Sequence, residues 1–166
     1  MKSSLLLPCL LLLGTLGLHP LRAESGLGKA AENHIHAQQL VNQQMAKREN
    51  ADLYILGLHA VAPGATEQSM IACNLDRIGK ADTADDKSIT TLHRTLVFQK
   101  LSEPGTLEVM LPIKDTAGAV IGMAVFVYHG FTSGADETSY YLRSVKMRDE
   151  MARATRSYTA LFQPNP

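Results

Sequence analysis

Beyond its first 23 residues, this chain offers five histidines, one cysteine and one short acidic run as the material for chemistry. The histidines are His34, His36, His59, His93 and His129, the thiol is Cys73, and the acids lie in Asp82-Thr83-Ala84-Asp85-Asp86. His59 and Cys73 fall on neighbouring apolar runs, which raises the question of a thiol–imidazole dyad. No third orienting group, nucleophile elbow or oxyanion loop accompanies them. A buried, inert thiol and a core imidazole are therefore expected, and catalysis is not. His34 and His36 stand two apart on a predicted helix, roughly 200° from one another, so they cannot share a metal. No recognised ligand spacing occurs elsewhere, and neither a metal nor a cofactor is expected. The acidic run lacks the glycine and final glutamate of a calcium loop and reads as a solvated helix start, with Asp82 or Asp85 as the cap.

Polar groups that a small-molecule pocket would use are His59, Asn74, Arg94, Lys114 and Tyr128. Arg94 and Lys114 can pair a carboxylate, while Asn74 and Tyr128 can orient it. The expected ligand is an unidentified small molecule, with small carboxylates the first class to test. The pocket is expected on one face of a sheet, beneath a helical insert between the second and third strands.

The elements that must position these groups follow from apolar patterning. Leu107–Ile113 and Val120–Tyr128 are β-branched and aromatic runs joined by Lys114-Asp115-Thr116-Ala117-Gly118, the signature of a β-hairpin. Leu53–Val61 and Ser69–Leu75 form a second antiparallel pair across a short polar connection. Residues 81–94 read as a helical insert, and Thr95–Leu101 as a further strand. Ile35, Leu40, Val41 and Met45 give a narrow apolar seam on an N-terminal helix of about 20 residues within 24–50. Tyr141, Leu142, Val145 and Met151 mark a C-terminal helix within Thr138–Phe162. Gly122 inside a strand predicts a bulge or a close backbone approach. The whole reads as α+β: an antiparallel sheet of about five strands, covered by helices.

At the front, Lys2, the apolar core Leu5–Leu18 and Leu21-Arg22-Ala23 have the layout of a secretory signal peptide cut near Ala23. The core is short against the roughly 20 residues of a membrane span. Residues 24–166 then form a single domain, periplasmic or secreted. The complete chain carries 16 basic and 16 acidic residues, and loss of Lys2 and Arg22 tips the balance to a net charge of −2. No basic run is present, which excludes a nucleic-acid partner. Cys9 departs with the leader, so Cys73 has no partner for an intramolecular disulfide.

Leu111-Pro112-Ile113-Lys114-Asp115 with Gly118, Ile121 and Gly122 resembles the final hairpin of the Cache (PDC) family of PAS-like extracytoplasmic sensor domains. Ile71-Ala72-Cys73-Asn74-Leu75, followed by Ile78-Gly79-Lys80 and the acidic run, is similar to that family's second strand and the turn beyond it. The resemblance implies a PAS-like sheet and a non-catalytic binding or sensing role. It departs from the family in two ways. No segment follows the C-terminal helix to carry a signal onward, so the expectation is a separate membrane-bound receptor partner. The arginine- and tyrosine-rich signature of amino-acid-binding members is also missing, and no ligand carries over. The alternative is an interaction module with a solid core, which docks a receptor or forms a homodimer through its helices.

Overall fold

The computed structural model describes residues 33–100, 102–132, 134 and 136–164. The proposed signal peptide and its cleavage point lie outside them. Five strands form one antiparallel sheet: β1 (Leu53–Val61), β2 (Gln68–Cys73), β3 (Leu96–Gln99), β4 (Thr106–Lys114) and β5 (Val120–His129). Their order across the sheet is β2-β1-β5-β4-β3. The α+β expectation therefore holds. The predicted hairpin β4–β5 is the centre, paired from Thr106↔His129 to Lys114↔Val120. Its corner is tied by Asp115, whose Oδ1 accepts from Ala117 N at 2.9 Å and Ala119 N at 3.0 Å.

Helices lie on both faces. On one face pack α1 (His36–Met45), α3 (Glu137–Ala154) and a 3-10 turn at Thr159–Phe162. The other carries only the short α2 (Ala84–Thr91) among the described helices. The expected N-terminal helix is shorter than predicted. Asn33–Ile35 is extended rather than helical, since Ile35 bridges Pro164 and Asn33 bonds the carbonyl of Ile71 on β2. The C-terminal helix likewise stops at Ala154, where Thr155 turns its hydroxyl back to the Met151 carbonyl.

The edge strand β2 is covered by polar side chains. Gln38 of α1 imitates a neighbouring strand: its Nε2 donates to the Cys73 carbonyl at 2.9 Å, and its Oε1 accepts from Cys73 N at 3.0 Å. Beyond the turn at Arg77–Lys80 the chain runs back along β2. Met70 N donates to Lys80 O, Gly79 N donates to Met70 O, and Ser69 bridges Ala81. This return leg delivers the acidic run to the face that carries α2.

Alternation along the strands divides the core in two. Leu56, Leu58, Ile71, Val109, Leu111, Phe126 and Tyr128 belong to the larger cluster, under α1 and α3. Ile55, Met70, Cys73, Met110, Met123, Val125 and Val127 form the smaller one, with Ile89 of α2. Two irregularities adjust this alternation. One lies between Leu53 and Ile55 in the β1–β5 pairing, and it keeps Leu53 in the larger cluster. The other lies beside His59, where Leu58 pairs with Ala72 but His59 pairs with Met70. The extra residue is Ile71. Bulges re-aim side chains in this way next to functional positions.

Candidate functional site

The β2 bulge and the return leg meet at one point on the α2 face. There His59 Nδ1 lies 2.6 Å from Asp82 Oδ1. The pair is sealed: 4% of the His59 side chain and 0% of the Asp82 side chain is exposed. Asp86, from the first turn of α2, completes a cluster in which one ligand-capable atom of each residue lies within 4.8 Å of the others.

Each member has a local reason to be there. His59 sits on a strand whose neighbour β5 presses close: a Cβ on Gly122 would stand 2.3 Å from the His59 carbonyl oxygen. Only glycine permits that approach, which answers the expectation drawn from Gly122. Asp82 is carried in by the Ser69–Ala81 bridge one residue before it. Asp86 is held by a capping box with Thr83. Its Oδ2 accepts from Thr83 N at 2.7 Å and from Thr83 Oγ1 at 2.8 Å. The capping bonds thus fall on Oδ2 and leave Oδ1 for another partner.

The expectation of a solvated acidic run is corrected here. Thr83, not Asp82 or Asp85, is the cap, and Asp82 and Asp86 turn inward while Asp85 stays exposed. The pattern Thr83-Ala84-Asp85-Asp86 is itself a capping-box spacing, and that signal was present in the sequence.

The cluster is incompletely bonded. His59 Nε2 and Asp82 Oδ2 are buried without a hydrogen-bond partner. With the Nδ1 proton given to Asp82, Nε2 carries a free lone pair, as does Asp82 Oδ2. An unpartnered buried acceptor costs about 1–3 kcal/mol. An imidazole oriented by a carboxylate, with its far nitrogen free, can ligate a cation or take a proton from a substrate.

The five residues expected to line one pocket do not converge. His59 is on the α2 face. Tyr128 is fully buried on the opposite face, where its hydroxyl lies 2.7 Å from Ser144 Oγ and Arg143 stacks 4.7 Å from its ring centre. Burial pushes the Tyr128 phenol up from its ordinary value. Asn74 spends its amide on β1: Oδ1 accepts from Leu56 N and Nδ2 donates to Tyr54 O, each at 2.9 Å. Arg94 is exposed in the loop after α2. Lys114 is exposed at the far end of the hairpin, beside Arg148 and Asp149 of α3. Cys73 stands opposite Gly57 rather than His59, fully buried, and burial pushes its thiol up, away from a reactive thiolate.

An open cleft of about 370 Å3 adjoins this end of the sheet. Gln68, Thr90, His93, Gly122 and Tyr158 are among the residues that line it. His93 follows the end of α2 in the left-handed conformation at φ 52°. Thr90 donates to Gln68 at 2.9 Å across the cleft wall.

No family model matches this chain, and no curated protein matches it. Solved structures do. A free methionine-R-sulfoxide reductase from Neisseria meningitidis, in complex with its substrate, is 13% identical with a TM-score of 0.49 over 79% of this chain and 82% of that one. A type II enzyme of the same name from Thermoplasma acidophilum is 14% identical, with a TM-score of 0.42 over 73% of this chain and 94% of its own. A structure described as the GAF domain is 12% identical with a TM-score of 0.47, covering 76% and 82% of the two chains. These likenesses are to GAF-type domains, and no Cache domain is among those named. At such values they carry no inference about chemistry, so the site is read from its own geometry. They do correct one expectation. The exclusion of catalysis is withdrawn, because chains of similar architecture include named reductases.

Proposed function

We propose that this chain is a small-molecule-binding sensor domain of PAS-like type, and that its ligand is read on the face covered by α2. The observation that carries the reading is the buried His59 imidazole, oriented by Asp82 and left with an unpartnered nitrogen beneath a short, separately hung helix. A cleft of about 370 Å3 beside it falls within the range of small-ligand pockets. The α1/α3 face, by contrast, has a large apolar core, and the cleft of about 330 Å3 on that side, between the β4–β5 corner and α3, has no buried imidazole beside it. Leu5–Leu18 is read as an export signal, so the binding is proposed to take place outside the cytoplasm.

The test is a thermal-shift screen of the purified protein against small carboxylates, amines and divalent cations. A ligand that binds the native state at 100 times its Kd stabilises it by about 2.7 kcal/mol. At least one class should raise Tm, and His59→Gln should remove that shift. A flat response in both proteins contradicts the reading and favours the interaction module.

A further inference from the structure

We propose that His59, Asp82 and Asp86 form a binding site for a single divalent cation of borderline hardness, such as Zn(II), Co(II) or Ni(II). This rests on the reading of the α2 face as the ligand site and specifies its chemistry. Three observations converge on it.

The first is geometry. One ligand-capable atom from each residue lies within 4.8 Å of the other two. A cation at about 2.0–2.2 Å from nitrogen and oxygen ligands holds them roughly 3–4 Å apart, so only small side-chain movements are needed. The three residues come from a strand, a return leg bridged to that strand's neighbour, and the first turn of a capped helix, so the backbone fixes each of them.

The second is the unfilled bonding. His59 Nε2 and Asp82 Oδ2 are buried and unpartnered, and the Asp82 side chain is wholly enclosed. The two atoms lie on opposite sides of the His59 Nδ1–Asp82 Oδ1 contact, so a single cation meets Asp82 and the Nδ1 side of His59, with Oδ2 the unpartnered atom within its reach. A Lewis acid satisfies lone pairs that no donor of the protein reaches.

The third is charge. Two carboxylates stand against one imidazole, and no lysine or arginine pairs with either carboxylate among the described salt bridges. Lys87, the nearest candidate by sequence, is paired with Glu67 at 2.6 Å instead. A dication offsets the surplus negative charge, displacing the proton now shared between His59 and Asp82. The donor set of one imidazole nitrogen and carboxylate oxygens selects against calcium and magnesium, which take oxygen alone, and against copper(I), which takes thiolates. Cys73 on the same face is outside the cluster.

The experiment uses the untagged protein, made metal-free with a chelator and dialysed against Zn(II) or Co(II). Bound metal is counted by mass spectrometry, and the visible spectrum of the Co(II) form is recorded. The expected result is one equivalent per chain, with visible bands of a nitrogen- and oxygen-ligated site. Asp82→Asn and His59→Gln should each weaken binding at least about 100-fold, at or beyond the range typical of outer-shell changes. The double variant His34→Ala/His36→Ala should leave it intact. Both ligand variants are close in size to the native residues, and circular dichroism checks that they fold. Stoichiometric binding that persists in Asp82→Asn and His59→Gln but vanishes in His34→Ala/His36→Ala overturns the proposal. So does the absence of binding by both Zn(II) and Co(II). In that last case an organic ligand whose thermal shift depends on His59 would keep the broader reading alive, whereas a flat panel would end both.

Discussion

The two faces of the sheet are built to different standards. Under α1 and α3 the side chains are large, and the polar groups around Tyr128 bond one another, although Gln44 Oε1 of α1 and Arg143 Nε of α3 are buried without partners. Phe126 and Tyr128 are fully buried, the Tyr128 hydroxyl meets Ser144, and Ser144 in turn bonds the Tyr140 carbonyl at 2.9 Å. Arg143 lies over the Tyr128 ring and forks onto both oxygens of Asp52 at 2.8 and 2.7 Å. Under α2 the cluster is smaller, and three of its members are methionines: Met70, Met110 and Met123. Methionine packs adaptably, and α2 adds only Ile89 to this apolar cluster. This same thin face holds the buried ionisable cluster with its unpartnered atoms. The difference teaches that stability is concentrated on one side, which leaves the other free to hold groups arranged for a ligand.

The largest expected effect tests the solid side. Phe126→Ala should cost about 3–5 kcal/mol in urea unfolding, the range for deleting a large buried ring. A loss below about 1 kcal/mol would show that the α1/α3 face is not the stabilising core.

The α2 side should answer differently. Replacing His59 and Asp82 together with leucine removes two buried polar groups at once, with no partner left stranded. Such exchanges of a buried pair are neutral or stabilising by about 1–4 kcal/mol. The ligand-free double variant should therefore unfold at the same urea concentration as the parent or a higher one, while losing its ligand response. A large destabilisation would mark the pair as structural and erase the contrast between the faces.

The smallest effect is a pH dependence. Burial pushes the Glu108 carboxyl up, with Asp86 adding to the rise and Lys100, 3.9 Å away, opposing it. A folded value above the unfolded one means that Glu108 contributes stability at low pH and loses it as pH rises through the folded value. Glu108→Gln lacks that loss. Its stability relative to the parent should grow as pH climbs through the carboxylate range, as read from parallel urea titrations. A difference that shrinks over the same range would reverse the assignment.

These contrasts explain what was legible in the sequence. The strands were, because β-branched runs bounded by Pro63-Gly64 and Asp115–Gly118 admit little else. Gly122 was, because a glycine inside such a run needs a close neighbour. The site was half legible. His59 stood out as a polar residue in an apolar run, yet its partners did not. Asp82 and Asp86 sit in a polar stretch whose composition is that of a solvated turn, and the Ser69–Ala81 bridge that buries them is a tertiary fact. Tyr128 was grouped with His59 because both are polar-tipped residues on strands. The register pairs His59 with Met123, and Tyr128 lies an odd number of residues beyond Met123, on the opposite face. Alternation assigns faces only once the register is known. The N-terminal helix was overextended because a weak apolar seam cannot announce that Asn33 and Ile35 will be held by β2 and the C-terminal segment instead.

Hydrogen exchange with and without saturating Zn(II) tests the central claim most directly, because it reads both faces in one sample. Slowed exchange should be confined to residues 79–92 and to the parts of β1 and β2 around His59 and Met70, with α3 unchanged. Protection centred on α3, or spread evenly over the sheet, would contradict a ligand site beneath α2.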